Sequence, residues 1–263
     1  MVCPKCESDK PFQRVEGRRS YFCPSCGFQV YPTQGTVFEK TTTPLIYWFQ
    51  AIHLQTTTRN GVSAKELERT FDICYKTALR MSHQIKKLMA NKNTNPLSGV
   101  LMADESFIGG LNRNHHSDKK VVESQGRSVK DKTPVFGIMK KGGKEISVHV
   151  VEDTKGTTLK PIIDANVDKD NSIVITDEWI GYNKLKEEYA HVIINHLNGE
   201  YVRGGFDNNG IENFWAQLKR TIRGTHIHVS RKHLQKYVDE VAFRYMNRDK
   251  QDTMFETILQ NVV

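Results

Sequence analysis

Four regimes of hydrophobic and polar positions follow one another along the chain. The first 35 residues carry too few apolar positions for a core of their own. From Thr41 to Met89 the apolar residues recur with helical spacing. TTTPLIYWFQAIHLQTT puts Leu45, Ile46, Trp48, Phe49, Ile52 and His53 on one face, with Pro44 in the first turn. VSAKELERTF opens with Ser63 and Glu66 spaced as a capping box. A longer helix from about Ile73 to Met89 then turns Ala78, Leu79, Ile85 and Leu88 inward. Past a polar linker, Asn91 to Pro96, the pattern changes to short apolar runs. GVLMADESF, PVFGIMKK, EISVHVVED, NSIVITDEW and HVIINH read as strands; TLKPIIDANV, GYNKLKEEYA and a segment starting near Asn209 read as helices. That order predicts an α/β fold, a mixed sheet with helices on its faces. The last regime, VSRKHLQKYVDEVAFRYMNRDK, predicts an amphipathic helix. Leu234, Tyr237, Val238, Val241, Ala242 and Tyr245 form its apolar stripe; Arg231, Lys232, Lys236, Arg244 and Arg248 form a basic face, either solvated or on DNA.

Those regimes divide 263 residues into a module at 1–35, a helical module at 42–92, an α/β domain at 97–250 and a tail at 251–263. Composition adds a partner class. The net charge of +8 suits a polyanion such as nucleic acid, although many basic enzymes have no such partner. No apolar run reaches the ~18 residues of a membrane span, and the N-terminus lacks an export signal, so a cytoplasmic protein without a membrane partner is expected.

Cysteine placement explains the first module. Cys3-Pro-Lys-Cys6 and Cys23-Pro-Ser-Cys26 are two knuckles, each able to aim two sulfurs at one ion. Their spacing predicts a zinc ribbon holding one structural Zn²⁺. Arg14, Arg18 and Arg19 on its loop would suit DNA, while ribbons also dock proteins. Cys74 stands alone among apolar residues and is expected to be a buried thiol. A short helix, a turn and a longer basic helix outline a helix-turn-helix, with Lys76, Arg80, Lys86 and Lys87 for phosphate contacts; a plain helical spacer has the same outline.

Asp104 and Asp177 each end an apolar run. A carboxylate in a central strand is costly unless paired or bound to metal, so neighbouring strands would bring the two together. Glu212 is the candidate third acid. Glu212, Ala216 and Lys219 share a helical face, with Ala216 expected against the sheet and Phe214, Trp215 and Leu218 pointing away into the core. Glu105 and Glu178 alternate to the opposite face of their strands.

With these acids in place, the chain resembles the zinc-ribbon DDE transposases of bacterial insertion sequences. The likeness rests on DESFIGG, TDEW, HLNGEYVRGG, the block IENFWAQLKRTIRGTHIHVSRKHLQKYVDEVAFRYMNR and the two knuckles, and it covers nearly the whole chain. It implies a ribonuclease-H-like catalytic domain, related to retroviral integrases, and a nucleoid-associated protein acting on DNA. It further implies phosphoryl transfer by two Mg²⁺ ions, replaceable by Mn²⁺, on Asp104, Asp177 and Glu212. Lys219 and Arg223 would then contact phosphate, and His196 and His226 are candidates for the rim. Asn209, one turn before Glu212, is the alternative third residue, disfavoured because an amide holds Mg²⁺ less well. Joining two DNA ends implies a homodimer on DNA. Two other readings remain: an inactive zinc-ribbon regulator, and a nuclease that cuts without joining.

Overall fold

The computed structural model describes residues 2–91, 95–110, 116–122, 128–195 and 202–262. At the N-terminus three two-residue strands, β1 (Gln13–Arg14), β2 (Tyr21–Phe22) and β3 (Gln29–Val30), form an antiparallel sheet beside the cysteine knuckles. In the second knuckle Gly27 adopts φ +73° and returns its N–H to the Cys23 carbonyl, a turn that favours glycine.

Three helices follow: α1 (Leu45–Thr57), α2 (Ala64–Phe71) and α3 (Tyr75–Leu88). The Ser63 hydroxyl accepts the Glu66 N–H, as the capping box predicts, and Asp72 ends α2 in the left-handed region. The buried face of α1 differs from the expected one. Trp48 and Ile52 are buried, but with Ala51, Gln55 and Thr56, whereas Leu45, Ile46, Phe49 and His53 are exposed. The inner stripe of α1 is thus partly polar, because Gln55 serves a buried ionic network and cannot be recognised by hydrophobicity. Cys74 is exposed, not buried, and stands at the N-cap position of α3. The neighbouring apolar residues that suggested burial sit on other faces of their helices.

The α/β domain has strands β4 (Leu97–Ile108), β5 (Thr133–Lys140), β6 (Ile146–Val150), β7 (Val167–Thr176) and β8 (Ala190–Ile193). They form one mixed sheet in the order β6-β5-β4-β7-β8. β4 is central, antiparallel to β5 and parallel to β7. Helix α4 (Gly156–Asn166) and a 3-10 helix (Ile180–Glu187, predicted as an α-helix) cover one face, where Leu101, Ala103, Phe136, Val174 and Tyr182 pack. Helices α5 (Asn209–Thr221) and α6 (Arg231–Met246) cover the other, burying Met102, Val135, Met139 and Ile175 under Phe214, Trp215, Leu218 and Val238. Alternation along β4 therefore sends even-numbered side chains to α5 and odd-numbered ones to α4.

The segment expected to be a tail has a structural role. Helix α7 (Met254–Gln260) packs Met254 and Ile258 into the core of the helical module, joined there by Phe243 from α6. The chain end thus ties the helical module to the α/β domain. No helix among the described residues is long and apolar enough to cross a membrane.

Candidate active site

Register brings the first two acids together. β4 and β7 run parallel with Met102 opposite Ile175, so the same offset sets Asp104 beside Asp177, just past the end of β7. Each lies two positions past a residue that faces α5, Met102 or Ile175. Asp177 is buried, and its Oδ1 accepts the Trp179 N–H at 3.0 Å. On the other side of the sheet, the buried Tyr182 hydroxyl is held un-ionised by burial and by the charges of Glu105, Asp104 and Asp177. Glu105 thus faces away from the acids, as alternation requires.

Helix α5 supplies the third acid. Its start is pinned to the sheet: Lys141 Nζ lies 2.6 Å from Asp207 Oδ2, and Asp207 Oδ1 accepts the Asn209 N–H at 3.1 Å. At Gly210 an added Cβ would come within 2.8 Å of the Met102 methyl, so the helix lies close enough to the sheet that a larger residue would displace the end of that side chain. Glu212 is exposed in the first turn, and Asn209 is also exposed. Ala216 is exposed too, not packed on the sheet as expected; Ile211 and Trp215 make that contact.

Trp215 has a role that sequence reasoning missed, although its ring lies in the core as expected. It is buried, yet its Nε1–H donates to Asp104 Oδ2 at 2.9 Å. Gly137, the cross-strand partner of Asp104, makes room: a Cβ there would meet the indole ring at 2.9 Å. A glycine in the middle of a strand was the available signal. Burial, with added repulsion from Asp177 and Glu212, raises the Asp104 pKa from 3.8 to about 6 despite bonds from the Glu105 backbone and Trp215. Glu212 is therefore an electrostatic neighbour of Asp104. Lys219, two turns along α5, is half-buried; burial and Arg223 lower its pKa while Asp104 pulls it back up. A cavity of about 320 Å³ lined by Phe107, Lys219, Ile222 and Arg223 opens beside it. Trp215→Phe removes one hydrogen bond from Asp104 and keeps most of the packing. We expect DNA cutting about tenfold slower, with stability lowered by about 1–3 kcal/mol. An unchanged rate would show that the indole has no positioning role.

The cysteines fit a metal well. The four sulfurs lie within 4.8 Å of one another, with Cys3–Cys26 and Cys6–Cys23 each 3.7 Å apart. A tetrahedron with Zn–S bonds of about 2.3 Å has edges of about 3.8 Å. Among the described residues this is the only such cluster of three or more metal-type ligands. Asp104, Asp177 and Glu212 are more widely spread, but two of them raise the pKa of the third, a donor set suited to a hard divalent cation.

Several expected DNA contacts are placed differently. Lys86 is fully buried and ion-pairs with Glu240 at 2.8 Å, so it cannot reach phosphate; its position on α3 faces α6 rather than solvent. Arg244, expected on the basic face of α6, is buried beside the same Glu240. His226 is not on the rim of the acids: it sits 3.6 Å from Glu240 with its ring against Tyr237. Arg19 donates to the Thr41 carbonyl and Arg80 to the Glu39 carbonyl, so both also brace the ribbon-to-helix connection. Arg18, Lys76 and Arg223 are exposed. His196 lies outside the described residues.

Comparison with known proteins decides the family. Residues 96–246 match the ISXO2-like transposase domain, more than half of the chain. The chain belongs to that transposase family. This family member is also 26% identical, over 274 aligned residues, to an uncharacterized protein in transposable element ISH50 of Halobacterium salinarum. That alignment spans 98% of this chain and 92% of the relative. A solved structure, the simian T-cell lymphotropic virus intasome in complex with PP2A regulatory subunit B56 gamma, contains a chain 10% identical. It covers 67% of each chain with a TM-score of 0.32, too low to support a shared fold.

Proposed function

We propose that this transposase-family chain cuts the ends of an insertion sequence and joins the freed 3′-hydroxyls to target DNA. The observation that carries the reading is the convergence of Asp104 and Asp177 on adjacent parallel strands, with Glu212 near enough to raise the Asp104 pKa. Family membership supplies the transposase role, and the resemblance supplies the chemistry. The mixed sheet with helices on both faces is compatible with the ribonuclease-H-like assignment. Asp104, Asp177 and Glu212 would hold divalent metal, which when bound activates the attacking oxygen and stabilises the leaving one. Trp215 orients Asp104 within that set. Lys219 and Arg223 neutralise phosphate beside the scissile bond, in a reaction whose rate comes mainly from positioning and charge. Glu212 is preferred over Asn209 as third residue because only its charge acts on Asp104. The ribbon is read as a structural zinc module, and a homodimer follows from the need to join two ends.

The test is strand transfer with purified protein, Mg²⁺ and DNA carrying the element's own ends. Wild type should give nicked and joined products, and Asp177→Ala neither, while binding the same DNA. Nicks without joined products would favour a nuclease. Binding with no cutting under Mg²⁺ or Mn²⁺ would favour a regulator, and equal processing by the variant would remove Asp177 from the site.

A further inference from the structure

Helix α3 carries Lys76, Arg80, His83 and Lys87 at spacings of four, three and four, which is one helical stripe. At 1.5 Å per residue the stripe runs for roughly 16 Å. Its C-terminal end meets α6. There the His83 and His233 rings lie 4.6 Å apart, His83 Nε2 is 3.2 Å from the Tyr237 hydroxyl, and Lys236 Nζ is 3.5 Å from His233 Nδ1. Lys87 and Lys232 stand exposed on either side, and Lys236 is half-buried between them.

The Tyr237 ring touches two kinds of charge. Lys86 lies 5.0 Å from the ring centroid and is neutralised by Glu240. His83, at the Tyr237 hydroxyl, and His233 beside it have three lysines, Lys87, Lys232 and Lys236, as electrostatic neighbours. Among the described residues no carboxylate lies within ion-pair distance of Lys87, Lys232 or Lys236, whereas Lys65 and Arg69 each have one and Lys160 has two. Burial and the neighbouring cations push His83 down to about 4, and burial with Lys87 and Lys232 lowers Lys236. Burial, Lys236 and Lys232 lower His233 as well, so both imidazoles are neutral at pH 7, able to donate an N–H without adding charge. Clustered cations repel one another unless an anion joins them. The acceptor that fits a linear row of cations is the backbone of duplex DNA, where each strand contributes one phosphate for about every 3.4 Å of helix axis.

We propose that this seam is a phosphate track, running from Lys76 on the helical module to Lys232 and Lys236 on the α/β domain, so that one DNA duplex is gripped by both. The inference rests on the reading of the protein as one that works on DNA. It decides for Lys232 and Lys236 between the solvated and DNA-facing alternatives of the sequence, joins them to the contacts expected on α3, and makes the spacing between bound DNA and the acids depend on the α3–α6 packing.

The experiment measures affinity for duplex DNA of the element's ends across a salt series, with no divalent metal added. Lys232→Ala/Lys236→Ala is compared with Lys184→Ala/Lys186→Ala, two exposed lysines on the 3-10 helix over the opposite sheet face. Each pair removes the same charge. The seam pair should reduce the slope of log affinity against log salt by about 2, and weaken binding about tenfold or more near 0.15 M salt. The control pair should leave the slope unchanged. Equal slopes for both pairs would overturn the track. Cutting with Mg²⁺, assayed separately on the same DNA, reports on the catalytic reading. A seam-specific slope change without any cutting would keep the track and remove that reading. Cutting with equal slopes would do the reverse.

Discussion

Asp104→Asn should abolish metal-dependent cutting, by on the order of a thousandfold or more, while making the metal-free protein more stable. The two effects share a cause. The Asp104 pKa is raised from 3.8 to about 6 by burial and by Asp177 and Glu212. A carboxyl with a raised pKa in the folded state holds its proton more tightly there than in the unfolded chain. Its stabilising share is complete below about pH 4 and is lost as pH rises through about 6. At pH 7 the ionised group costs the metal-free fold on the order of 1–3 kcal/mol. Asparagine removes that charge and keeps an oxygen for the Trp215 N–H, so the melting temperature should rise. Under the proposed function it would also remove a metal ligand, several kcal/mol of transition-state stabilisation. Adding Mg²⁺ or Mn²⁺ should therefore raise the melting temperature of wild type and not of the variant. Equal metal-induced shifts in the two proteins would refute Asp104 as a ligand, and wild-type cutting by the variant would refute its catalytic role.

How the acids come together was legible from sequence because each sits at a break in a pattern. Asp104 interrupts an apolar strand, and Asp177 terminates another. The cysteine knuckles were legible because metal ligation needs a fixed spacing. What could not be read was the far side of each helix. Trp215 was assigned to the core by its hydrophobicity, which is correct for the ring and silent about its N–H. Lys86 was assigned to phosphate by its charge, since nothing local announces a buried partner 154 positions away in Glu240; Arg244 is only four positions from Glu240, but the Gln55 and Thr58 carbonyls that enclose it lie 186 or more positions away. Ala216 was expected under the helix because it is small, but Gly137 on the sheet provides the space instead.

The Glu240 network gives the largest expected effect on stability. Glu240 is fully buried on α6; Lys86 is 2.8 Å away, Arg244 3.3 Å and His226 3.6 Å. Lys86 and His226 reach Oε2, while Gln55 on α1 donates to Oε1, the oxygen that Arg244 also reaches; Arg244 donates further to the Gln55 and Thr58 carbonyls. Gly61 completes the enclosure: at φ +72°, an added Cβ would collide with the Glu240 carboxylate. Burial alone would raise the Glu240 pKa, but Lys86, His226 and Arg244 outweigh it and hold the group well below the usual carboxylate range. A lowered pKa stabilises the fold above about pH 4.5, and that share is lost only as pH falls through the folded value in strong acid. Glu240→Ala would leave Lys86 and Arg244 buried without a counter-charge, a loss of about 3–5 kcal/mol. Lys86→Met should cost less, because Arg244 still balances Glu240. Since Lys86 and Gln55 belong to the helical module and Glu240 to the α/β domain, the penalty falls on their junction. Urea unfolding of wild type should show the two parts melting together, and Glu240→Ala should separate them, with the helical module lost first. A variant within about 1 kcal/mol of wild type, still unfolding in one step, would mean that the apolar contacts of Phe243 and α7 hold the junction without the ions.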